Sequence, residues 1–422
     1  MIKLIRYTIS LVVLSLFFFP FELVAIPGAN TKMILAIFGL VTLAVNMSRS
    51  RGALLNKDFL SVLVISLLVS FIGFFSIIYN NTSDYSYATY FISMAVWMSG
   101  AYITIKIMKL CCLEISVRTV CNFLIVLCVA QCLLALLIDI FPVLRQVVSR
   151  VMIVTPAMEG RLYGVDASLD IAGTRFSAVL IMITHCCLSE SNKWNHLLWY
   201  VLAYMIITIV GNMISRTTIV GVILSTIYCV YYGVKGKASN IKPFVITVVC
   251  VLLAIIPIII TLYKTDQRFY ELLRFGFEGF FSLFETGHWE THSNNILLDM
   301  IKFPDNLKTW IIGDGYFDNP YHTDPYYIGE RTGGFYMATD IGYLRFIFYF
   351  GTLGLIAFIL FFIRVGFILK RRFPSFGSMF VFLVLLNFIV WFKVSTDIFV
   401  VFTLFLCLNN NSDGFPQLEP LS

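Results

Sequence analysis

Apolar runs of about 20 residues recur along the whole chain, broken by short polar turns. A helix rises about 1.5 Å per residue, so each run is long enough to cross a bilayer core of roughly 30 Å. The pattern predicts an all-α, polytopic integral membrane protein with about 12 transmembrane helices. The spans read as 7–27, 31–48, 58–79, 88–105, 119–141, 168–189, 197–213, 215–234, 243–263, 341–363, 376–393 and 397–409. Two connections are long, 142–167 and 264–340, and the others are short. No internal repeat or low-complexity segment interrupts the pattern, so residues 1–422 read as a single membrane domain. The first run follows Lys3 and Arg6 but is long for a signal peptide. No small-residue cleavage site follows it, and it reads as the first membrane helix.

Composition agrees with this class. The chain is 59% hydrophobic and 13% charged, whereas soluble domains are about 25% charged. The ten cysteines fall in apolar runs or near span ends, and neither long loop holds one. A disulfide framework and a metal site are both disfavoured, and the thiols read as small buried hydrophobes.

Lysine and arginine in the short loops set the orientation. With the N-terminus in the cytoplasm, sixteen cations lie in cytoplasmic segments: Lys3, Arg6, Arg49, Arg51, Lys57, Lys106, Lys109, Arg118, Lys193, Lys235, Lys237, Lys242, Arg364, Lys370, Arg371 and Arg372. The short outer turns carry Lys32, Arg216 and Lys393. Both long loops then face outward, and both termini face the cytoplasm. The stretch from Leu197 to Val234 is 38 residues. As one helix it would span about 57 Å, so it reads as a hairpin turning at Gly211–Ser215. That turn brings Arg216, in GNMISRTTIVG, to the outer boundary.

Four arginines share this depth by sequence: Arg161 and Arg175 around the sixth span, Arg216 at the eighth and Arg345 at the tenth. Guanidinium binds phosphate through a planar fork and stays charged at low dielectric. As neighbours, the four would form a cationic floor for an anionic head group. The alternative is snorkelling to lipid phosphates, or pairing with Asp166, Asp170 and Asp340. Most spans lack an ionisable residue near their centre, which argues against an ion-coupled transporter.

The second long loop carries two further clusters. GHWETHSNNILLDM gathers His288, Glu290, His292, Asn294 and Asn295. A histidine beside carboxamides suits a general base or a clamp for sugar hydroxyls. The alternative is a helix cap, with Ser293 or Asn294 as the N-cap. The following segment, 310–340, is rich in aromatics: Trp310, Tyr316, Tyr321, Tyr326, Tyr327 and Tyr336, with turns at Gly313, Gly315, Gly333 and Gly334. Rings with polar tips suit glycans as well as an interfacial belt. Asp314, Asp318, Asp324 and Asp340 could orient hydroxyls, or simply be solvated.

Four stretches, RLYGVDASLDIAGTRF, GNMISRTTIVG, THSNNILLDM and GDGYF…TDIGYLRFIFYFGTLGLI, resemble the O-antigen polymerase (Wzy) group of the O-antigen ligase and polymerase superfamily. The resemblance covers most of the chain as architecture. Its local marks are Ser215-Arg216-Thr217 at a helix start and Asp340-Ile341-Gly342-Tyr343 leading into a later span. The arginine-x10-glycine spacing of some members fits Arg331 to Gly342, while Arg161 to Gly173 is one residue too long. The resemblance implies a glycosyltransferase of a bacterial inner membrane. It would move a glycan from undecaprenyl pyrophosphate onto the non-reducing end of a new lipid-linked repeat unit at the periplasmic face. It implies as catalytic residues His292, Arg216 and Asp340, and as substrate-binding residues Arg161, Arg175, Arg345, Arg331, Asn294, Tyr316 and Tyr343. Lipid-linked repeat units, membrane lipids, a chain-length regulator and a flippase are the implied partners. No nucleic acid, cofactor or metal is implied, because pyrophosphate leaves readily.

The competing readings are an O-antigen ligase, which passes the glycan to lipid A core, a flippase or other transporter of lipid-linked glycans, and a non-enzymatic scaffold. The wide divergence of the sequence favours the polymerase, which must match many repeat units. Long outer loops and uncharged span centres disfavour transport.

Overall fold

A computed structural model describes residues 2–49, 57–112, 114–189, 194–234, 241–324, 327–332 and 334–408. Arg51, Lys193, Lys235, Lys237, Tyr326 and Gly333, singled out above, lie outside them. The described residues are helical, with isolated bridges but no strands. In chain order the helices are α1 (Ile2–Phe18), α2 (Thr31–Arg49), α3 (Lys57–Asn80), α4 (Tyr90–Cys111), α5 (Val117–Ile140), α6 (Pro142–Val151), α7 (Leu169–Ser189), α8 (Trp194–Ile214) and α9 (Thr218–Val234). They continue as α10 (Ile241–Thr265), α11 (Gln267–Gly276), α12 (Glu278–Thr286), α13 (His292–Asp299), α14 (Leu307–Ile311), α15 (Gly342–Arg372), α16 (Gly377–Val390) and α17 (Phe399–Leu406).

Seven of these, α3, α4, α5, α7, α8, α10 and α15, are long and apolar enough to cross a membrane. Shorter apolar helices, α2, α9 and α16, occupy three of the other runs; α1 ends at Phe18 rather than running to 27, and α17, with eight residues, rises only about 12 Å. The tenth run extends to Arg372 rather than stopping near 363. Both long connections contain helix: α6 lies in the first, α11 to α14 in the second.

The bundle is layered around α7. Within the membrane-length window of α7, 94% of residues are buried, against 11% for α10. Helix α7 therefore runs through the protein core, whereas α10 turns isoleucine, valine and leucine outward, where a bilayer is the favourable solvent. Helix α9 packs closely on α7, because Gly221 has no side chain and its backbone N–H reaches the Ser177 hydroxyl at 3.1 Å. Of the cysteines, Cys121, Cys128, Cys132, Cys186 and Cys187 are buried as expected, whereas Cys250 is exposed on α10.

Helix α15 is broken at Phe350 and Gly351, where Gly351 takes φ +67°. A break inside an apolar bundle frees backbone carbonyls that need donors. The turn Gly313-Asp314-Gly315 supplies them: Asp314 N–H donates to Phe348 O at 2.5 Å and Gly315 N–H to Tyr349 O at 3.1 Å. The Ser76 hydroxyl also donates to Tyr349 O, at 2.8 Å. Gly313 is required in turn, since a Cβ there would lie 2.5 Å from Tyr349 O. The GDG sequence is thus a plug in a broken helix.

Both long connections gather at one end of the bundle. Arg268 of α11 pairs with Asp139 at 2.9 Å and donates to Gly160 O at 3.2 Å, tying the second connection to the first.

Candidate functional site

The hairpin between α8 and α9 turns where expected. Ser215 N–H donates to Gly211 O at 2.8 Å, closing α8, and Thr218 N–H to Ser215 O at 3.1 Å, opening α9. Because α9 lies against α7, the turn Ser215-Arg216-Thr217 sits over the first turn of α7. Gly173 makes room for it: a Cβ there would lie 2.8 Å from the Ser215 Cβ. Asp170 of α7 accepts hydrogen bonds from the Ser215 hydroxyl at 3.2 Å, from the Thr217 hydroxyl, and from the Lys393 ammonium at 2.7 Å. Lys393 also donates to Thr217 Oγ1 at 3.0 Å. A lysine from the turn after α16 is thereby fixed beside the Ser-Arg-Thr turn.

Arg216 forms an ion pair with Glu278 at the start of α12. The other oxygen of Glu278 accepts the backbone N–H of His292 at 3.1 Å. Phe275 lies under the Arg216 guanidinium at 4.4 Å, and the Arg161 guanidinium is 5.7 Å from the same ring. Phe275 is held there because Gly276 meets the Asn212 backbone, where a Cβ would come within 2.9 Å.

These contacts enclose two adjoining cavities that share Arg216, Ser293 and Lys393. The first, about 180 Å³, is lined by Arg161, Asp170, Ser215 and Asp340 as well. The second, about 210 Å³, is more apolar, with Ile219, Val220, Phe277, Phe280 and Trp289 in its wall together with Asn294. Burial pushes the Asp340 carboxyl up to about 6, against the pull of Arg345. A carboxyl in that range can exchange a proton near neutral pH.

The four arginines do not form one floor. Arg161 and Arg216 share the cavity. Arg345 stands behind Asp340, at 3.6 Å, and pairs with Asp318 at 2.8 Å, between the rings of Phe317 and Phe335. Arg175 faces elsewhere altogether. It follows Asp170 by five positions, and at about 100° per residue that turns it about 140° round α7. It is 6% exposed, lies over Phe18 and Phe19, and has Asp166, Asp397 and Lys32 as charged neighbours.

Other expectations are also relocated. The ring of His292 is exposed and lines neither cavity. Its contribution is the backbone N–H on Glu278. Thr291, not Ser293 or Asn294, caps α13, accepting from Asn294 N–H at 3.2 Å. Arg331 lies over Tyr321 at 4.6 Å, away from the cavities. Tyr316 donates to Asp324 at 3.1 Å within an aromatic cluster of the loop, and Tyr343 donates to Phe388 O at 2.9 Å and packs on Trp391. Both are scaffold residues. Asp314 is held by Lys308 at 2.7 Å and Thr309 at 2.6 Å.

Sequence reasoning missed Lys393 and Asp170 as site residues. The signal for Lys393 was present: in the orientation expected from the sequence, its short turn faces outward, where lysine runs against the charge bias. Asp170 gave none, since a carboxylate in a first helical turn is ordinary. Comparison of the chain with family models, with curated proteins and with solved structures returns no match.

Proposed function

We propose that this protein polymerises a polysaccharide at the outer face of a bacterial inner membrane, taking its donor glycan from a lipid pyrophosphate. The proposal includes about twelve membrane crossings, cytoplasmic termini and both long connections in the periplasm. One observation carries it: Arg161, Arg216 and Lys393, from three distant segments, converge on one cavity beside a carboxyl poised near neutral pH. Cations with a proton acceptor are what displacement of a pyrophosphate by a sugar hydroxyl requires. The resemblance of the Ser-Arg-Thr and Asp-Ile-Gly-Tyr stretches to the O-antigen polymerase group supplies the substrate class.

In this reading the acceptor hydroxyl oxygen attacks the anomeric carbon of the donor. The bond from that carbon to the pyrophosphate oxygen breaks, and the electron pair leaves with lipid pyrophosphate. Asp340, rather than His292, takes the hydroxyl proton, because its carboxyl lines the cavity and the imidazole does not. Arg216 and Arg161 meet the charge that develops on the pyrophosphate, with Arg216 exchanging Glu278 for it. Lys393 holds Asp170 and the Ser-Arg-Thr turn and adds a third positive charge. The more apolar second cavity suits the first isoprene units of the carrier.

The test is the lipopolysaccharide ladder of a strain lacking the protein. Core carrying a single repeat unit is the expected result. Core alone would reassign the site to a ligase or a flippase, and an unchanged ladder would overturn the lipopolysaccharide substrate.

A further inference from the structure

A further cavity lies at the opposite end of the bundle, where α9 and α15 end and α16 begins. It measures about 400 Å³, and Tyr231, Tyr232, Lys370, Ser375, Ser378 and Phe382 are in its wall. Lys370 belongs to the basic run that closes α15, but its neighbours are engaged. Arg371 and Arg372 both reach Asp58, and Arg364 donates to Ser61 at 3.0 Å. Lys370 has no ion-pair or hydrogen-bond partner among the described residues. Its stem is seated against the start of α16, where a Cβ in place of Gly377 would lie 3.1 Å from the Lys370 Cγ.

The hydroxyls around it are held in place. Buried His185 of α7 shares a hydrogen bond of 2.8 Å with the Tyr228 hydroxyl, which shares one of 2.7 Å with Ser378 Oγ. With the proton on His185 Nδ1, the chain donates from His185 to Tyr228 to Ser378. The Ser378 O–H is then free to donate into the cavity.

We propose that this cavity binds a phosphate group, with Lys370 as the cation and Ser378 as the fixed donor. A lysine ammonium binds phosphate as a point charge, and hydroxyl donors orient it. The phosphate belongs either to an anionic lipid headgroup or to a soluble phosphate compound. The proposal does not depend on the transfer reaction, because no residue is shared with the Arg216 cavities.

The experiment uses the full chain in phosphatidylcholine nanodiscs, on an Arg216→Gln background so that the other cavity lacks its guanidinium. The unfolding temperature is followed as inorganic phosphate is added, and separately as phosphatidylglycerol replaces part of the phosphatidylcholine. The expected result is a rise whose half-maximal concentration increases about tenfold in Lys370→Gln, as loss of one charge-assisted contact requires, and is largely retained in Lys370→Arg. A rise with inorganic phosphate identifies a soluble ligand as competent, and a rise with phosphatidylglycerol alone identifies a lipid headgroup. Responses of Lys370→Gln and Ser378→Ala equal to that of their parent, or no rise with either probe, would overturn the site. Both variants alter residues at the cavity wall and leave the apolar core intact.

Discussion

Arg216 and Arg175 enter the sequence in the same way, each near the same end of an apolar span, yet they serve opposite surroundings. Arg216 lies over Phe275 in a cavity, paired with Glu278 and beside Arg161. Arg175 is buried over Phe18 and Phe19, in a cluster with Asp166, Asp397 and Lys32, and its Nη1 has no hydrogen-bond partner among the described residues. The first can exchange a protein carboxylate for a ligand. The second is 6% exposed, with its guanidinium against two phenyl rings. Depth in a membrane therefore does not define a site. The face of the helix does, and a turn of about 140° between Asp170 and Arg175 separates the two.

The contrast is broken most directly by removing each guanidinium. Arg175→Met leaves Asp166 and Asp397 with Lys32 as their one remaining cationic neighbour among the described residues, and breaking a buried pair in this way costs about 3–5 kcal/mol. A large fall in unfolding temperature in detergent is expected. A native melting curve would show that the inner cluster does not support the fold. Arg216→Ala, by contrast, should melt like the wild type and lose about 100-fold in glycan transfer, on the scale of removing one charge-stabilising donor. Arg216→Lys should recover part of that loss, because it keeps the charge without the fork. Full chain length in Arg216→Ala at normal expression would remove the pyrophosphate role.

Titration sharpens the same comparison, because each of the two surroundings holds a carboxyl raised to about 6. Burial raises Asp340 near Arg345 and Asp166 near Arg175 to that value from 3.8. A raised carboxyl binds more protons folded than unfolded between about pH 4 and 6. Stability contributed by either group is therefore present below that window and falls as pH rises through it. The proposed transfer runs the other way: its rate should climb as pH passes about 6, if Asp340 is the group that accepts the proton. Asp340→Asn should abolish that limb, whereas Asp166→Asn should leave it in place. A rise in rate through the same pH in Asp340→Asn would assign the base elsewhere. The smallest effect is expected for His292→Ala, less than about twofold in transfer, since the variant keeps the backbone N–H that reaches Glu278. A loss as large as that of Arg216→Ala would restore the imidazole to the chemistry.

Much of the architecture was legible because a bilayer imposes a length on apolar runs and requires every buried backbone group to bond within a helix. The runs, the Gly211–Ser215 turn and the two long connections follow from that constraint alone. The eight-residue α17 and the break in α15 did not follow. Phe350 and Gly351 lie in an unbroken apolar run, and the donors that stabilise their break come from Asp314 and Gly315, far away in sequence. The GDG turn was visible as a turn but not as a plug, because its partners are the carbonyls of another segment.

The site divides in the same way. The sequence by itself determined the charged inventory of this end of the bundle: Arg161, Arg216 and Asp340 were all marked by charge against an apolar background. Only the tertiary structure decided which of the candidates share a cavity. It added Lys393 and Asp170, set Arg345 behind Asp340, turned Arg175 into the core and left the His292 ring outside. The physical reason is that hydrophobicity fixes where along a helix a charge sits. The packing of α9 on α7 through Gly221 and Gly173 fixes the direction in which it points.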